Sequence, residues 1–155
     1  MHVVGSIEDA KVLEGTEIGL SDWVVIDQNR IDQFDEATAD YQWIHVDTER
    51  AAKEMPGGKT IAHGYLTLAL IPALTIDFVH VENLKRAINF GVNKVRFYTP
   101  LPSGARVRGR MTVLSARRRA GALLLTSEVR IEVEGERKPA CVAETLGMYF
   151  FDEPA

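Results

Sequence analysis

From Tyr65 to Leu74 the chain is apolar on every side, broken only by Thr67 and Pro72. No polar face at helical spacing can be drawn through this run, which predicts a helix buried all round rather than one lying on a surface. The wider stretch Thr60–Val79 is interrupted by Pro72, Thr75 and Asp77 and is too short and broken for a membrane span. A buried helix needs a wrapper, and four long alternating segments after it supply one. Ile88, Phe90 and Val92 share one parity while Val95 and Phe97 share the other. That slip predicts a bulge or sharp bend at Asn93-Lys94. Beyond a turn at Pro100–Gly104, Val107, Met111 and Val113 alternate with Arg106, Arg108, Arg110 and Thr112. Leu123, Leu125, Val129, Ile131 and Val133 then alternate with Glu128, Arg130, Glu132 and Glu134. A hairpin closing near Arg119 sets Arg110 opposite Glu128 and Arg106 opposite Glu132, pairs worth about 0.2–1 kcal/mol each. A last strand runs from Pro139 to Phe150.

The first half carries helical signals. Residues 1–20 form a mixed, glycine-bearing arm, weakly specified, with room for a short strand at its end. Trp23–Ile26 is β-rich. Asp27 is placed to cap a helix in which Ile31 and Phe34 face inward and Asp32, Asp35 and Glu36 face water. That helix frays at Thr38-Ala39. Residues 40–47 have no period and read as an ordered loop, Thr48 caps a short helix over Glu49–Glu54, and Met55–Lys59 is a break. The pattern is α+β with an antiparallel sheet, a single domain over residues 1–155. The sheet has unprotected edges, so edge-to-edge pairing into a dimer is expected.

Composition narrows the partners. The net charge of −4 argues against a non-specific nucleic-acid binder. Local basic clusters at Lys85-Arg86, Lys94/Arg96, Arg106/Arg108/Arg110 and Arg117–Arg119 remain able to meet a phosphorylated small molecule. Cys141 is the only cysteine, so no internal disulfide forms and a reducing compartment fits. The charged N-terminal stretch has no apolar signal core, and a soluble cytoplasmic protein is the expectation.

Two stretches have the residue types for chemistry. Asp40 and His45 lie five residues apart beside Trp43, Ile44 and Val46. A carboxylate and an imidazole so placed can hold a water between them, one taking its proton while the other orients it. Equally, Asp40 can be a cap and His45 a structural hydrogen-bonding residue. Thr60-Ile-Ala-His63-Gly64 opens the apolar helix. Unpaired N–H groups at a helix start carry partial positive charge, and glycine lets a ligand approach, so Gly64 N–H could donate to an oxyanion. The bland alternative is a tight helix entry in which His63 packs or caps. A metal site would need three converging ligands; His45, Asp47 and His63 could be forced into that role without any familiar spacing. No nucleophile elbow or glycine-rich phosphate loop is present, and Cys141 suits a packed thiol.

Ala37-Thr-Ala-Asp40-Tyr-Gln-Trp-Ile-His45-Val-Asp47, Ala51-Ala52 and Thr60-Ile-Ala-His-Gly64 together resemble the hydratase motif of the MaoC-like dehydratases, the (R)-specific enoyl-CoA hydratases of hot-dog fold. The Asp-x-Gln-Trp-Ile-His-Val-Asp form, with Ala87–Phe97 and Lys138–Glu144, is similar to the branch named after nodulation protein N. The resemblance runs from Asp22 onward. It implies an antiparallel sheet around one long central helix and two protomers joined edge to edge. It also implies a trans-2-enoyl thioester of CoA or carrier protein as substrate, a (3R)-hydroxyacyl product, and no metal or organic cofactor. Asp40 and His45 take the catalytic positions, and the N–H of Gly64 that of the oxyanion donor. Gln42, His63, Asn93 and Arg96 are candidate substrate contacts. Better-known relatives have Asn-Pro where this chain has Gln42-Trp43, which bears on pocket width and acyl-chain length. The fold also hosts acyl-CoA thioesterases, and a non-catalytic thioester-binding subunit is a third possibility.

Overall fold

The computed structural model describes residues 1–153. The chain opens with strand β1 (His2–Val4), helix α1 (Ile7–Val12), and strands β2 (Glu17–Leu20) and β3 (Val24–Ile26). Helices α2 (Gln28–Thr38), α3 (Trp43–Val46) and α4 (Thr48–Glu54) follow, then a 3-10 turn at Pro56–Gly58 and the central pair α5 (Gly64–Ala69) and α6 (Ile71–Thr75). Strands β4 (Val79–Val81), β5 (Leu84–Phe97), β6 (Ala105–Arg119), β7 (Ala122–Val133) and β8 (Cys141–Phe151) come last. The main sheet runs β2-β6-β7-β8-β5, antiparallel throughout, with β3 pairing the start of β6. Strands β1 and β4 pair in parallel as a separate ribbon. The N-terminal arm is better ordered than its composition suggests. Ser6 and Asp9 form a reciprocal capping box on α1, and Val4, Ile7, Ala10 and Ile18 enter the core.

The alternation along β6 and β7 does decide which residues point inward: Val107, Met111, Val113, Val129, Ile131 and Val133 are all buried. The cross-strand partners differ from those expected. Arg108 faces Glu132, Arg110 faces Arg130, and Thr112 faces Glu128. The turn closes at Ala120-Gly121, both at positive φ (47° and 74°), and a bulge between Val113 and Ser115 shifts the register again. Glu132 consequently accepts from both Arg108 Nε and Arg110 Nε at 2.7 Å, while Arg106 pairs with Glu134. The irregularity expected near Asn93-Lys94 is present: the β5–β8 register shifts between Asn93 and Arg96, with Lys94 at φ 51°.

The central apolar stretch forms two short helices rather than one long one, and starts at Gly64 instead of Thr60. Pro72 lies in the first turn of α6, where its missing N–H breaks no bond. Leu66, Leu70, Ile71, Leu74 and Phe78 are buried with the sheet. Each such side chain contributes about 1.5–3 kcal/mol when fully removed from water. Two glycines make the close approach possible, since a Cβ on Gly109 would lie 3.0 Å from Leu74 Cβ and one on Gly19 only 2.3 Å from the Phe78 ring. Burial all round is not observed in the single chain. Tyr65 and Ile76 are 70% and 72% exposed. The reason is that the sheet covers one flank of the helices, and β5, its outermost strand, is exposed along nearly its whole length. Between that strand and the open flank lies a cleft of about 730 Å³ lined by residues such as Leu68, Ile71, Thr75, Asn89 and Ser127.

Candidate active site

Helix α2 begins as the sequence predicts, with Asp27 accepting from Arg30 N at 3.0 Å and Ile31 fully buried. It ends at Thr38, where Ala39 turns into the left-handed region at φ 56° and delivers Asp40 into the following loop. That loop is not irregular throughout, because Trp43–Val46 form the single turn α3. Asp47, not Thr48, caps α4 by accepting from Arg50 N at 2.9 Å. The residue that converges with His45 and His63 is Asp40, not Asp47.

His45 is buried and held from several sides. Its Nδ1 lies 2.6 Å from the carbonyl oxygen of Ile61, while Ile61 N donates to Ile44 O at 3.0 Å. A carbonyl only accepts, so Nδ1 carries a proton, and Nε2 is the nitrogen this bond leaves free. Gln28 secures the same turn, donating to His45 O at 2.7 Å and accepting from the Thr60 hydroxyl. The loop before α5 therefore orients an imidazole contributed by α3.

Asp40, His45 and His63 each place one side-chain oxygen or nitrogen within 4.8 Å of the others. Asp40 is exposed, and the two histidines are buried. The rings of His45 and His63 stack with centroids 3.8 Å apart and planes 25° from parallel. Chemically, this is a solvent-facing carboxylate beside an oriented imidazole, a pair able to hold and deprotonate one water. The same three residues are also the described group that could take a metal ion.

The remaining candidates fall in different places. Gly64 is the first residue of α5, so its N–H has no partner within the helix. The ring of Phe97 covers it, 3.2 Å from where a Cβ would stand. Gln42 precedes α3 with its side chain making no capping bond. Asn93 and Arg96 stand exposed on β5, and Arg96 Nη1 turns back to Val95 O at 2.9 Å. Among the described residues, no hydrogen bond or ion pair links either one to Asp40, His45 or His63. His63 is 1% exposed and enclosed by protein, which does not suit the substrate contact expected of it. The large cleft begins at Leu68, one turn beyond Gly64, and its lining does not include Asp40, His45 or Gly64.

Asp35 was expected to face water. It is 5% exposed, with Oδ1 3.4 Å from His63 Nε2. The signal was available: Ile31, Phe34 and Asp35 fall at i, i+3 and i+4, which puts an acid on the apolar stripe of α2. Cys141 is fully buried, and desolvation raises its thiol pKa to about 11, in keeping with a packed side chain.

A long antiparallel sheet packed on a broken central helix, with a carboxylate and two imidazoles gathered beside the helix start, is the architecture of a hot-dog protein. The family model described as MaoC like domain matches residues 9–134, and the chain belongs to that family. It is 46% identical over 150 residues to 3-hydroxyacyl-thioester dehydratase Z of Mycobacterium tuberculosis, covering 96% of this chain and 99% of that one. It is 41% identical over 154 residues to nodulation protein N of Rhizobium leguminosarum bv. viciae, covering 98% and 95% respectively. Among solved structures, the (R)-hydratase from A. caviae involved in PHA biosynthesis shares the fold at TM-score 0.69 and 20% identity, over 91% of this chain and 96% of the other.

Proposed function

We propose that this protein is an (R)-specific enoyl-thioester hydratase, adding water across the 2,3-double bond of a trans-2-enoyl thioester and catalysing the reverse dehydration of the (3R)-hydroxyacyl thioester. The observation that carries the reading is the juxtaposition of Asp40 with His45, one open to solvent and the other locked by Ile61. The high identity to a relative named as a 3-hydroxyacyl-thioester dehydratase supports the substrate class.

In the hydration direction, Asp40 takes a proton from a water that His45 holds. The water oxygen bonds C3, and electron density moves to the thioester oxygen. A proton from the pair is then delivered to C2, so H and OH add across the double bond and both residues return to their starting states. The unpaired N–H of Gly64 donates to the enolate oxygen, where a preorganised donor lowers the barrier most. Gln42, Asn93 and Arg96 are left as contacts for the acyl or pantetheine portions. Chemistry of this kind needs no metal or organic cofactor beyond the CoA or carrier arm of the substrate.

A second copy completes the molecule in this reading. Strand β5 is a long open edge, with Ile88, Phe90 and Val92 each more than 40% exposed, and the uncovered flank of α5–α6 lies beside it. Edge pairing between two protomers would cover both.

Crotonyl-CoA tests the reaction directly. Loss of enoyl absorbance without thiol release is the expected result, and Asp40→Asn should lower kcat about 10²–10⁴-fold. Release of free thiol would mark a thioesterase instead. No reaction, with Asp40→Asn indistinguishable from wild type, would mark a non-catalytic binder.

A further inference from the structure

His63 touches both members of the proposed pair while sealed from solvent. Its ring lies against His45 at 3.8 Å and Phe34 packs on it at 5.1 Å, tilted by 57°. Its Nε2 is 3.2 Å from the main-chain oxygen of Asp40 and 3.4 Å from the Asp35 carboxylate. Both neighbours accept, so Nε2 carries the proton. Nδ1 is buried without a partner, which assigns it as the bare nitrogen, since an orphaned N–H is the rarer and costlier state. Asp35 Oδ1 likewise has no conventional hydrogen bond, and His63 is the polar group facing it.

Asp40 needs such a restraint. It follows the left-handed Ala39, and among the described residues its carboxylate makes no hydrogen bond or ion pair. A carboxylate on a free loop would sample many angles relative to His45. A misplacement of about 1 Å in a reacting group can cost 10²-fold in rate.

We propose that His63, lying beside the Asp35 carboxylate, is a positioning residue: its Nε2–H fixes the main chain at Asp40 while its ring fixes the plane of His45. One buried side chain thereby sets the angle at which carboxylate and imidazole meet over the water. The kinetic consequence rests on the hydratase reading; the geometric one does not.

Two substitutions separate the contacts. His63→Phe keeps a flat ring on His45 and removes the donor, whereas His63→Gln keeps a donor and removes the ring. Each should lower kcat on crotonyl-CoA about 10–100-fold, the scale found for groups that orient reacting ligands, with KM within about twofold of wild type. Combined with Asp40→Asn, His63→Phe should cost almost nothing further, because the lost donor acts through that residue. His63→Gln should likewise add almost nothing to His45→Asn, because the lost ring acts through His45. Effects that multiply within either of these pairs, or a wild-type kcat in both variants, would overturn the proposal.

Long-range ¹H–¹⁵N NMR of the unaltered protein supplies a readout that needs neither activity nor a variant. It should show His63 protonated at Nε2 and His45 at Nδ1, each as a single tautomer. Protonation of His63 at Nδ1 overturns the proposal whatever the activity. Correct tautomers in a protein that does not hydrate crotonyl-CoA would sink the functional reading and leave the positioning geometry standing.

Discussion

The imidazole of His45 donates from Nδ1 to the carbonyl oxygen of Ile61 across 2.6 Å, tying the turn at α3 to the segment that leads into α5. The bond does two jobs, orienting a candidate catalytic ring and satisfying a main-chain carbonyl. His45→Asn places an amide donor near Nδ1 and removes Nε2. It should therefore keep a near-native melting temperature while kcat falls about 10²–10⁴-fold. His45→Ala loses both functions and should also destabilise the fold by about 1–3 kcal/mol, the usual penalty for a buried group left unpaired. Thermal melts beside steady-state kinetics distinguish the two, and an active His45→Asn enzyme would exclude a role for Nε2.

Gly64 is a cleaner probe than its position in a helix suggests. A methyl group there would meet the ring of Phe97 at 3.2 Å, but Phe97 is 47% exposed and can swing toward solvent. Gly64→Ala should accordingly unfold within a few degrees of wild type. Activity should fall roughly 10²-fold because the methyl intrudes where the thioester oxygen must approach. Unchanged kcat in a folded Gly64→Ala protein would remove the oxyanion role.

The open edge makes a prediction about mass. The chain of 17.2 kDa should behave as a dimer in light scattering. Ile88→Lys combined with Phe90→Lys should shift it toward monomer by placing charges along β5. A wild-type protein that is already monomeric at micromolar concentration would show that the exposed flank is covered in some other way.

Glu132 gives the acid limb of stability a definite sign. Burial pushes its carboxyl upward, but hydrogen bonds from Arg110 and Arg108 outweigh this and hold it below the ordinary glutamate value. A depressed folded-state value means that its stabilisation is complete above the unfolded value, about pH 4.3. The stabilisation is lost as pH falls through the folded value. Melting temperatures recorded from pH 7 down to about pH 3 should drop more steeply in wild type than in Glu132→Gln. Parallel curves would show that the two arginines contribute nothing that titrates.

Short-range physics settled much of this protein in advance. Asp27 at the start of α2, the inward parity of Val107 through Val133 and the slip near Asn93-Lys94 depend on neighbours a few residues away, and all three are as the pattern indicated. The motif residues Asp40, His45 and His63 could be singled out for the same reason, since residue type and spacing are local properties.

What joins distant segments was decided by the folded chain alone. The partner of Arg110 depends on a bulge at Val113–Ser115 and on where the hairpin turns, so a small error in either moves every cross-strand contact. Asp35 appeared to belong to water because hydration normally stabilises a carboxylate's charge, yet in the folded chain it is buried within 3.4 Å of His63. The apolar helix was expected to be enclosed, and a single sheet reaches only one of its flanks. Hydrophobic pattern specifies that a surface must be covered. Which element covers it, and how the polar groups beneath are paired, is fixed only when the whole chain competes for the same interior.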